Sequence, residues 1–301
     1  MSKFAKMCCI LGGIIFAIGI ILCIVGLTMG FSFSRASELP YISNFLSRHG
    51  STEGETVVYE EVIEADEVYK FSKAEIKKLD INIKYGMLTI ETHSEDYIAV
   101  TTTQADSDFK CKKSGNTLKI EDKRREYLGG ILYNEYEGSY VHVFVPEDMF
   151  FEEIDIEVGA GDANVETLNC ADISIEVGAG TFTGQNIISN KKAKFEVGAG
   201  RMDIMELKSK ETKLENGVGE TIISGTIAGD MTINCGVGSV QLDILGAESD
   251  YNYDIDRGIG TIRIGEIEFS GLTGRKRIDN NSDTDVKIDC GIGSVQLDFF
   301  E

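Results

Sequence analysis

The residues with the clearest chemical potential are four glutamates that recur at nearly constant intervals in the second half of the chain. Glu157, Glu176, Glu196 and Glu215 are 19, 20 and 19 residues apart, and Asp155 stands two positions before the first of them. Carboxylate oxygens are the ligands that Ca²⁺ prefers, and a row of them also attracts a cationic polymer. We therefore single out Asp155, Glu157 and Glu176 as weak calcium candidates.

The simpler interpretation of the same carboxylates is a solvated acidic face. Like charges about 4.8 Å apart on neighbouring strands repel in water by roughly 0.9 kcal/mol per pair, and by less in salt. Lys194 and Lys213 stand two residues before Glu196 and Glu215 and offset that repulsion locally. Ser174, at the equivalent position before Glu176, carries no charge that could offset the repulsion.

A second run of oxygen ligands alternates along the chain at Asp279, Asn281, Asp283 and Asp285. A calcium loop of the EF-hand type needs glycine at its sixth position and a bidentate glutamate at its twelfth. These positions hold Thr284 and Cys290, so the run does not follow that pattern.

No residue pattern of the sequence indicates catalysis or a cofactor. Its three histidines are His49, His93 and His142, and a G-x-S-x-G nucleophile motif does not occur. Gly-x-Gly pairs superficially suggest phosphate loops, but a phosphate loop is followed by a helix. Here each pair is followed by a strand pattern, so we predict no catalytic residue and no cofactor.

The glutamates share a spacing because they belong to a repeated sequence motif. Its copies read IDIEVGAG, ISIEVGAG, AKFEVGAG, TKLENGVG and TINCGVG, and two degenerate copies read DIDRGIG and KIDCGIG. The first glycines of the seven pairs are separated by 19, 20, 19, 19, 22 and 33 residues. The predicted corner glycines are Gly159 and Gly161, Gly178 and Gly180, Gly198 and Gly200, Gly217 and Gly219, Gly236 and Gly238, Gly258 and Gly260, and Gly291 and Gly293. Such regularity predicts stacked units that bury their apolar faces on each other.

Polarity alternates with a period of two on both sides of each glycine pair, as in a β-strand. We predict an all-β fold, a parallel β-solenoid with rungs of about 19–20 residues, each made of two short strands and two corners. At the corners, positive φ angles are free for glycine. The apolar residue between the two glycines is expected to point inward. The predicted inward column is Ile156, Ile175, Phe195, Leu214, Ile233, Ile255 and Ile288.

The seven cysteines include no C-x-x-C pair, so neither a zinc site nor a redox motif is indicated. Cys235 and Cys290 fall in one inward column, with Arg257 between them in sequence order. Two rungs of separation would place them about 10 Å apart, beyond the reach of a disulfide. We predict free buried thiols that act as small hydrophobic side chains.

The N-terminus predicts a membrane anchor. Residues 7–31 carry no charge, and 25 residues of helix are long enough to cross a bilayer. The alternative, a cleaved signal peptide, has a shorter apolar region and a small-x-small cleavage site. Lys3 and Lys6 before the span favour a cytoplasmic N-terminus, which would place the β region outside the cell.

The predicted organisation has five parts. They are a cytoplasmic N-terminus (1–6), a transmembrane helix (7–31), a juxtamembrane stalk (32–55), an irregular β-rich cap with the first rungs (56–150), and a regular solenoid (151–301) with a polar insertion at 265–285. A formal net charge of −21 argues against nucleic acid as a partner, because phosphates would be repelled. We expect the C-terminal strand Val295–Phe300 to be an exposed edge, through which self-association could occur.

The chain resembles the bacterial family named "putative adhesin", whose domain is a β-strand repeat of unknown function. The residues that carry the resemblance are LDINIKYGMLTI at 79–90, VFVPEDMFFEEIDIEVGAGD at 143–162 and the serial EVGAG copies, and the likeness covers about residues 71–300. The Lys84–Tyr85–Gly86 copy and the 33-residue last interval depart from the family pattern. The resemblance implies an envelope protein, often membrane-anchored and in some cases encoded with envelope-stress systems, and it supplies no catalytic residues.

Three hypotheses for function follow. The first is a non-catalytic binding or scaffold protein whose partner is an envelope polymer or another protein. The second is a regulatory accessory that acts on an envelope-stress sensor through its transmembrane helix. The third is a glycan-acting enzyme, which would need a cluster of acidic and basic residues on one face.

Overall fold

The computed structural model describes residues 67–103, 108–123, 140–271 and 273–300. The predicted cytoplasmic N-terminus, transmembrane helix and stalk lie outside these ranges, so the anchor stays a prediction. Within the described ranges no helix has the length and apolar character needed to cross a membrane.

The described residues are almost entirely β-structure, with two single-turn 3₁₀ helices at Lys73–Glu75 and Glu248–Asp250. The strands are β1 (Glu67–Ser72), β2 (Lys78–Ile83), β3 (Met87–His93), β4 (Tyr97–Thr102), β5 (Phe109–Ser114), β6 (Thr117–Asp122), β7 (Tyr140–Pro146), β8 (Phe151–Val158), β9 (Asp162–Val177), β10 (Thr181–Val197), β11 (Arg201–Asn216), β12 (Glu220–Ile227), β13 (Met231–Cys235), β14 (Ser239–Leu245), β15 (Asn252–Arg257), β16 (Thr261–Ile264), β17 (Ile267–Phe269), β18 (Gly274–Ile278), β19 (Asp285–Cys290) and β20 (Ser294–Phe300). The all-β prediction is confirmed.

Successive copies of the repeat stack in parallel and in register, which gives a solenoid-like strand repeat. β2 pairs with β8, β8 with β9, β9 with β10, and β10 with β11. Ile81, Ile156, Ile175 and Phe195 are successive Cα partners across these ladders, and each is fully buried. The copy at 79–90 is therefore the first rung of the stack. We name each rung by the residue that begins its corner, from the Lys84 rung onward.

The predicted pair of short strands is present in the Gly236 and Gly291 rungs, where strands of five to seven residues flank the corner. It is wrong for the middle rungs, where one strand of 16 or 17 residues runs from one Gly-x-Gly corner to the next. Within β9, burial alternates but changes phase twice, at Glu166–Thr167 and at Ala171–Asp172. Two neighbouring outward residues mark a bend in a strand whose side chains otherwise alternate. Each rung thus has two bends besides its glycine corner and presents three faces.

A bulge explains the one 20-residue interval among the regular copies. Ser189 of β10 faces Cys170 of β9 and Ser209 of β11, but the next paired residue of β10 is Lys192. Two residues, Asn190 and Lys191, therefore stand against one residue on each neighbouring strand. The extra residue is absorbed at a bend, so the register on the next face is restored.

The order of the rungs in space differs from their order in the chain. β19 pairs with β13 on one side and β15 on the other, and β20 lies in the same way between β14 and β16. The last copy in sequence, the Gly291 rung, is therefore inserted between the Gly236 and Gly258 rungs. The expectation that Val295–Phe300 forms an open edge was wrong for the first part of this strand, because residues 294–297 are paired on both sides, whereas residues 298–300 pair with β14 alone.

The polar insertion at 265–285 closes the far end of the stack. β17 pairs antiparallel with β16, and β18 pairs antiparallel with β15. Arg275 of β18 forms an ion pair with Asp256 of β15. The outermost strands at this end are therefore β17 and β18, and β18 carries the exposed run Arg275–Lys276–Arg277.

The near end is closed by the strands that surround the Lys84 rung. β6 pairs in parallel with β2 and antiparallel with β5. β7 pairs in parallel with β3 and antiparallel with β4, which in turn pairs with β1. Irregular antiparallel strands thus cover both ends of the parallel stack, as repeat proteins require for solubility.

Candidate functional site

The four recurring glutamates form a continuous column on one outer face, which we call the acidic column. Glu157 is the Cα partner of Glu176, Glu176 of Glu196, and Glu196 of Glu215. The column continues through Asn234, Asp289 and Asp256, in that spatial order. Strand alternation places these side chains outside because their neighbours in sequence fill the core. The predicted column is therefore present, with its last two members exchanged.

Burial and the neighbouring carboxylates raise the pKa of two acids on this face, Glu176 and Asp155. Partial burial, followed by the charges of Glu196 and Glu157, raises the pKa of Glu176 above its ordinary value. Burial and then Asp80 do the same to the pKa of Asp155, and Lys194 opposes both shifts. These acids therefore hold their protons more tightly than free carboxylates and gain from a nearby cation.

Lysines offset the charge in the middle of the column, as expected from the sequence. Lys194 forms an ion pair with Glu196, and Lys213 approaches Glu215 to 2.5 Å. Lys194 also lies opposite Ser174 and partners Lys213 across the next ladder. The end of the column that contains Glu157 and Glu176, with Asp155 beside it, has no lysine in a direct ion pair with these three carboxylates.

The calcium hypothesis stays a prediction. Asp155 lies opposite Asp80 and Ser174, and Glu157 accepts a hydrogen bond from the Asn82 side chain. Among the described residues, no group of three or more histidine, cysteine, aspartate or glutamate side chains converges in a way that could hold a metal ion.

The run Asp279, Asn281, Asp283 and Asp285, which follows β18, makes hydrogen bonds within its own loop and to a neighbouring loop. Asn281 adopts a φ of 54°, and its N–H donates to the Asp279 carboxylate. The N–H of Asp285 donates to the Asp230 carboxylate across the stack. The run thus positions the strand that enters between two earlier rungs.

The corner glycines are required for close approach between rungs, which corrects the sequence-based reason. The described glycines with positive φ are Gly86, Gly115, Gly225, Gly246, Gly265 and Gly271, so the seven Gly-x-Gly pairs are not among them. A Cβ added at Gly180 would lie 1.9 Å from the carbonyl oxygen of Gly161. Backbone hydrogen bonds continue across the same corner, since Ala179 N–H donates to Gly159 at 2.7 Å. A side chain at these positions would separate the rungs.

The residues between the paired glycines point outward, so the prediction of inward side chains was wrong. The four larger ones are between 55% and 66% exposed. In spatial order they are Val218, Val237, Ile292 and Ile259. The reason is that the residue before the glycine pair already fills the core, as Val158 and Val177 do. We call the seven middle residues the apolar ridge: Ala160, Ala179, Ala199, Val218, Val237, Ile292 and Ile259.

Cys235 and Cys290, the thiol pair, are direct neighbours, which corrects the predicted separation of two rungs. They are Cα partners in the β13–β19 ladder, and Cys290 in turn faces Arg257. All four described cysteines are free thiols, so that part of the prediction agrees with the structure. A hydrogen bond from Cys290 lowers the pKa of Cys235 to about 7 and raises the pKa of Cys290. Burial instead raises the pKa of Cys170 to about 12.

The two described histidines have local structural partners in the near-end strands. His93 lies 2.7 Å from the carbonyl oxygen of Tyr97 through its Nε2 atom. His142 pairs with Glu91 at 3.0 Å and stacks on Phe144.

The comparison with protein families settles where the chain belongs. The profile of the family described as Toastrack DUF4097 matches residues 76–270, which is well over half of the 301-residue chain. The chain belongs to the Toastrack family. The match begins two residues before β2 and ends just after β17, so it covers every rung from Lys84 to Gly258 in sequence order and leaves out the inserted Gly291 rung. No curated protein matches this Toastrack chain.

Three solved structures are similar to the Toastrack chain over most of their length. A "putative adhesin" from Bacteroides fragilis is 13% identical with a TM-score of 0.43, and the alignment covers 76% of this chain and 95% of that one. A "putative lipid binding protein" from Parabacteroides distasonis is 14% identical with a TM-score of 0.42, covering 78% and 96%. A "putative cell adhesion protein" from Clostridium sporogenes is 14% identical with a TM-score of 0.34, covering 78% and 98%. These scores are too low to carry an argument about binding.

Two features of this Toastrack stack escaped the sequence analysis, namely the outward ridge and the adjacent thiols. One signal pointed to the second feature. Residues 235–245 and 290–300 read CGVGSVQLDIL and CGIGSVQLDFF, and the structure places these two nearly identical segments side by side. Similar side chains at every position make them well matched as neighbours in one stack.

Proposed function

We propose that this Toastrack protein is a non-catalytic binding or scaffold protein of the bacterial cell envelope, anchored in the membrane by residues 7–31 with its β region outside the cell. The uncharged 25-residue segment and the lysines before it support the anchor and its orientation. The partner is an extended envelope polymer or protein that lies along the stack.

The observation that carries the proposal is the in-register repetition of exposed side chains beside one corner. Glu157, Glu176, Glu196 and Glu215 follow each other on paired strands, about 4.8 Å apart. The apolar ridge runs parallel to them, three residues further along each rung. A rigid surface of this kind favours a partner that is itself repetitive, because each repeat adds a similar weak contact.

Charge complementarity indicates the chemistry of that partner. The acidic column and the net charge of −21 favour cationic groups and repel polyphosphates. The large side chains of the ridge at Val218, Val237, Ile292 and Ile259 favour apolar groups beside those charges. We therefore expect a partner that combines basic and apolar groups.

The test is sedimentation of the purified full chain with isolated cell envelopes. A variant with Glu157, Glu176, Glu196 and Glu215 changed to glutamine should bind at least about tenfold more weakly, and the salt dependence of binding should flatten. The matched control removes the same number of charges elsewhere on the surface, at Glu152, Glu206, Glu266 and Glu268. Equal binding by both variants would contradict the acidic column as the recognition surface.

A parallel pair of variants tests the ridge. Changing Val218, Val237, Ile259 and Ile292 to serine should weaken envelope binding, because the exposed apolar contact is lost. The control changes four other exposed apolar residues, Val68, Met205, Leu245 and Ile267, to serine.

The alternative is a regulator that acts through its transmembrane helix. Replacing residues 7–31 with an unrelated apolar segment of the same length separates the two. A surface binder keeps its envelope binding after this exchange, whereas a regulator that acts through the helix loses its effect on the envelope-stress sensor.

A further inference from the structure

The Cα atoms of the thiol pair lie at a separation that a disulfide can span. Cys235 and Cys290 are in-register partners on neighbouring parallel strands, whose Cα atoms are about 4.8 Å apart. Disulfides span Cα separations of about 4.4–6.8 Å. Each thiol donates to a carbonyl oxygen of its own corner, Cys235 to Gly238 and Cys290 to Gly293, both at 3.3 Å. Bond formation therefore needs side-chain rotation and no change in strand register.

The two cysteines belong to the row of residues that stand directly before the glycine pairs, and this row is polar around them but apolar in the other rungs. Val158, Val177 and Val197 occupy this buried row in the near half of the stack. In the far half the row reads Asn216, Cys235, Cys290 and Arg257. The Asn216 amide donates toward the sulfur of Cys235 at 3.9 Å, and Arg257 lies beyond Cys290. Hydrophobic packing alone would be served by valine in every rung, so it does not explain the residues in the far half of this row.

The neighbouring corners leave space only for the sulfur atoms. A Cβ added at Gly293 would lie 2.8 Å from the Cys235 sulfur, and one added at Gly260 would lie 2.8 Å from the Cys290 sulfur. Cys235 is 3% exposed and Cys290 is not exposed. Large thiol reagents are therefore excluded, and the oxidant must be as small as hydrogen peroxide.

We propose that Cys235 and Cys290 form a redox site that hydrogen peroxide converts into a disulfide between neighbouring rungs. The Cys235 thiolate attacks one oxygen of the peroxide, the O–O bond breaks, and Cys235 becomes a sulfenic acid as hydroxide leaves. The Cys290 sulfur then attacks the Cys235 sulfur, the S–O bond breaks, and the disulfide forms. The oxygen leaves as water with the Cys290 proton, and the hydroxide takes up the proton first lost by Cys235. Two thiols are oxidised and one peroxide is reduced to two waters.

The disulfide would fasten the inserted rung. It joins residues 55 positions apart (290 − 235 = 55) and closes a loop that contains the Gly258 rung and the β17–β18 strands. The far end of the oxidised stack could then not open by withdrawal of β19 and β20. Oxidation is therefore expected to slow local opening at this end, which hydrogen exchange reports.

The experiment treats the full chain with hydrogen peroxide and follows it by intact mass and by peptide mapping under non-reducing conditions. The expected result is a loss of about 2 Da, the mass of two hydrogens, with one cross-linked pair of peptides containing Cys235 and Cys290. Dithiothreitol should restore both thiols and the faster hydrogen exchange of β19 and β20. Cys170→Ser serves as a control, because this buried thiol lies elsewhere in the stack and its loss should change neither result.

The variants Cys235→Ser and Cys290→Ser should each abolish the cross-link, and Cys290→Ser should accumulate a sulfenic acid at Cys235. The peptide map of the peroxide-treated wild-type chain tests the proposal even if a variant fails to fold. A cross-link between other cysteines, a disulfide between two chains, or peroxide treatment that leaves both thiols intact would overturn the proposal.

Discussion

Cys235 lies directly opposite Cys290, although an entire rung with its antiparallel hairpin separates them in the chain. The relationship exists because the Gly291 rung is inserted between two rungs that precede it in sequence. The same insertion places Val237 beside Ile292 on the outer ridge and the buried Cys290 beside the half-buried Arg257. One exchange in stacking order thus determines both the surface and the interior of the far end.

The corner glycines give the most direct stability prediction. Gly180→Ala should lower the free energy of unfolding by about 3 kcal/mol, because the new Cβ would overlap the Gly161 carbonyl oxygen and push two rungs apart. Urea unfolding followed by circular dichroism measures the change. Ala179→Val, at the exposed position next door, is the control and should stay within about 0.5 kcal/mol. Equal losses from the two changes would contradict close stacking at this corner.

The acidic column predicts a pH-dependent gain from removing one charge. Because the pKa of Glu176 is raised in the folded protein above its ordinary value of 4.5, the contribution of Glu176 to stability falls as pH rises through the window just above 4.5. Glu176→Gln avoids this loss and should be more stable at pH 7 by a few tenths of a kcal/mol, since solvent and salt screen the exposed carboxylates. At pH 3 the difference should vanish.

The matched control for that change is Glu215→Gln. Glu215 is paired with Lys213 at 2.5 Å, so removing its charge loses an attraction as well as a repulsion and should bring no gain at pH 7. Denaturant midpoints at both pH values compare the two variants. A gain of the same size in both would mean that the lysines do not offset the column.

Calcium binding at Asp155, Glu157 and Glu176 is open to a simple measurement. We expect millimolar Ca²⁺ to leave the melting temperature unchanged relative to Na⁺ at matched ionic strength. Asn82 already donates a hydrogen bond to Glu157, and Lys194 acts on both Asp155 and Glu176. A calcium-dependent rise that Glu157→Gln abolishes would instead establish a site.

The far-end cap predicts a change in assembly state. Replacing residues 266–278 with a short glycine-serine linker removes β17 and β18 and exposes the edges of β15 and β16. Unpaired strand edges promote association, so light scattering should report a larger mass. Changing only residues 270–273, which lie between β17 and β18 in the sequence, keeps both strands and should leave the mass as it is. Deleting 294–301 would remove an interior strand, and we expect it to promote association as well.

The thiol pair predicts a pH profile for oxidation. Its rate of oxidation by hydrogen peroxide should rise with pH through a midpoint near 7 and level off at higher pH, because the neighbouring Cys290 thiol lowers the pKa of Cys235 to about 7. Asn216 also favours the Cys235 thiolate, and Asp289 and Arg257 act on Cys290 in opposite directions. Asn216→Val, which restores the residue type of Val197 in the same row, should move the midpoint upward. A midpoint that does not move would show that Asn216 does not stabilise the Cys235 thiolate.

The parts of the fold that depend on local pattern could be predicted from the sequence. Ile156, Ile175 and Phe195 were placed in one inward column because strand alternation and a fixed period leave them no other position. The acidic column followed from the same reasoning, since Glu157 and Glu176 each stand one residue beyond an inward side chain. The copy at 79–90 was recognisable although its corner reads Lys84–Tyr85–Gly86.

The order of the last rungs could not be read in the same way. A period tells which residues share a column and does not tell which rungs touch, so Cys290 could equally follow Arg257 or precede it. The direction of Val218 was missed for a different reason. Apolar residues usually face the core, but at this corner the buried position is already taken by Asn216. Exposure here is decided by backbone geometry at the corner and not by hydrophobicity.

The inserted rung also has a consequence for biosynthesis. A stack ordered like its sequence could add rungs one by one as the chain emerges from the ribosome, but here the place between β13 and β15 stays vacant until residues 285–300 have been made. The nascent Gly258 rung must wait for the segment that will separate it from the Gly236 rung. The far end therefore assembles as a late closing step, and any product cut short before β19 would leave that end unfinished and open to recognition by proteases.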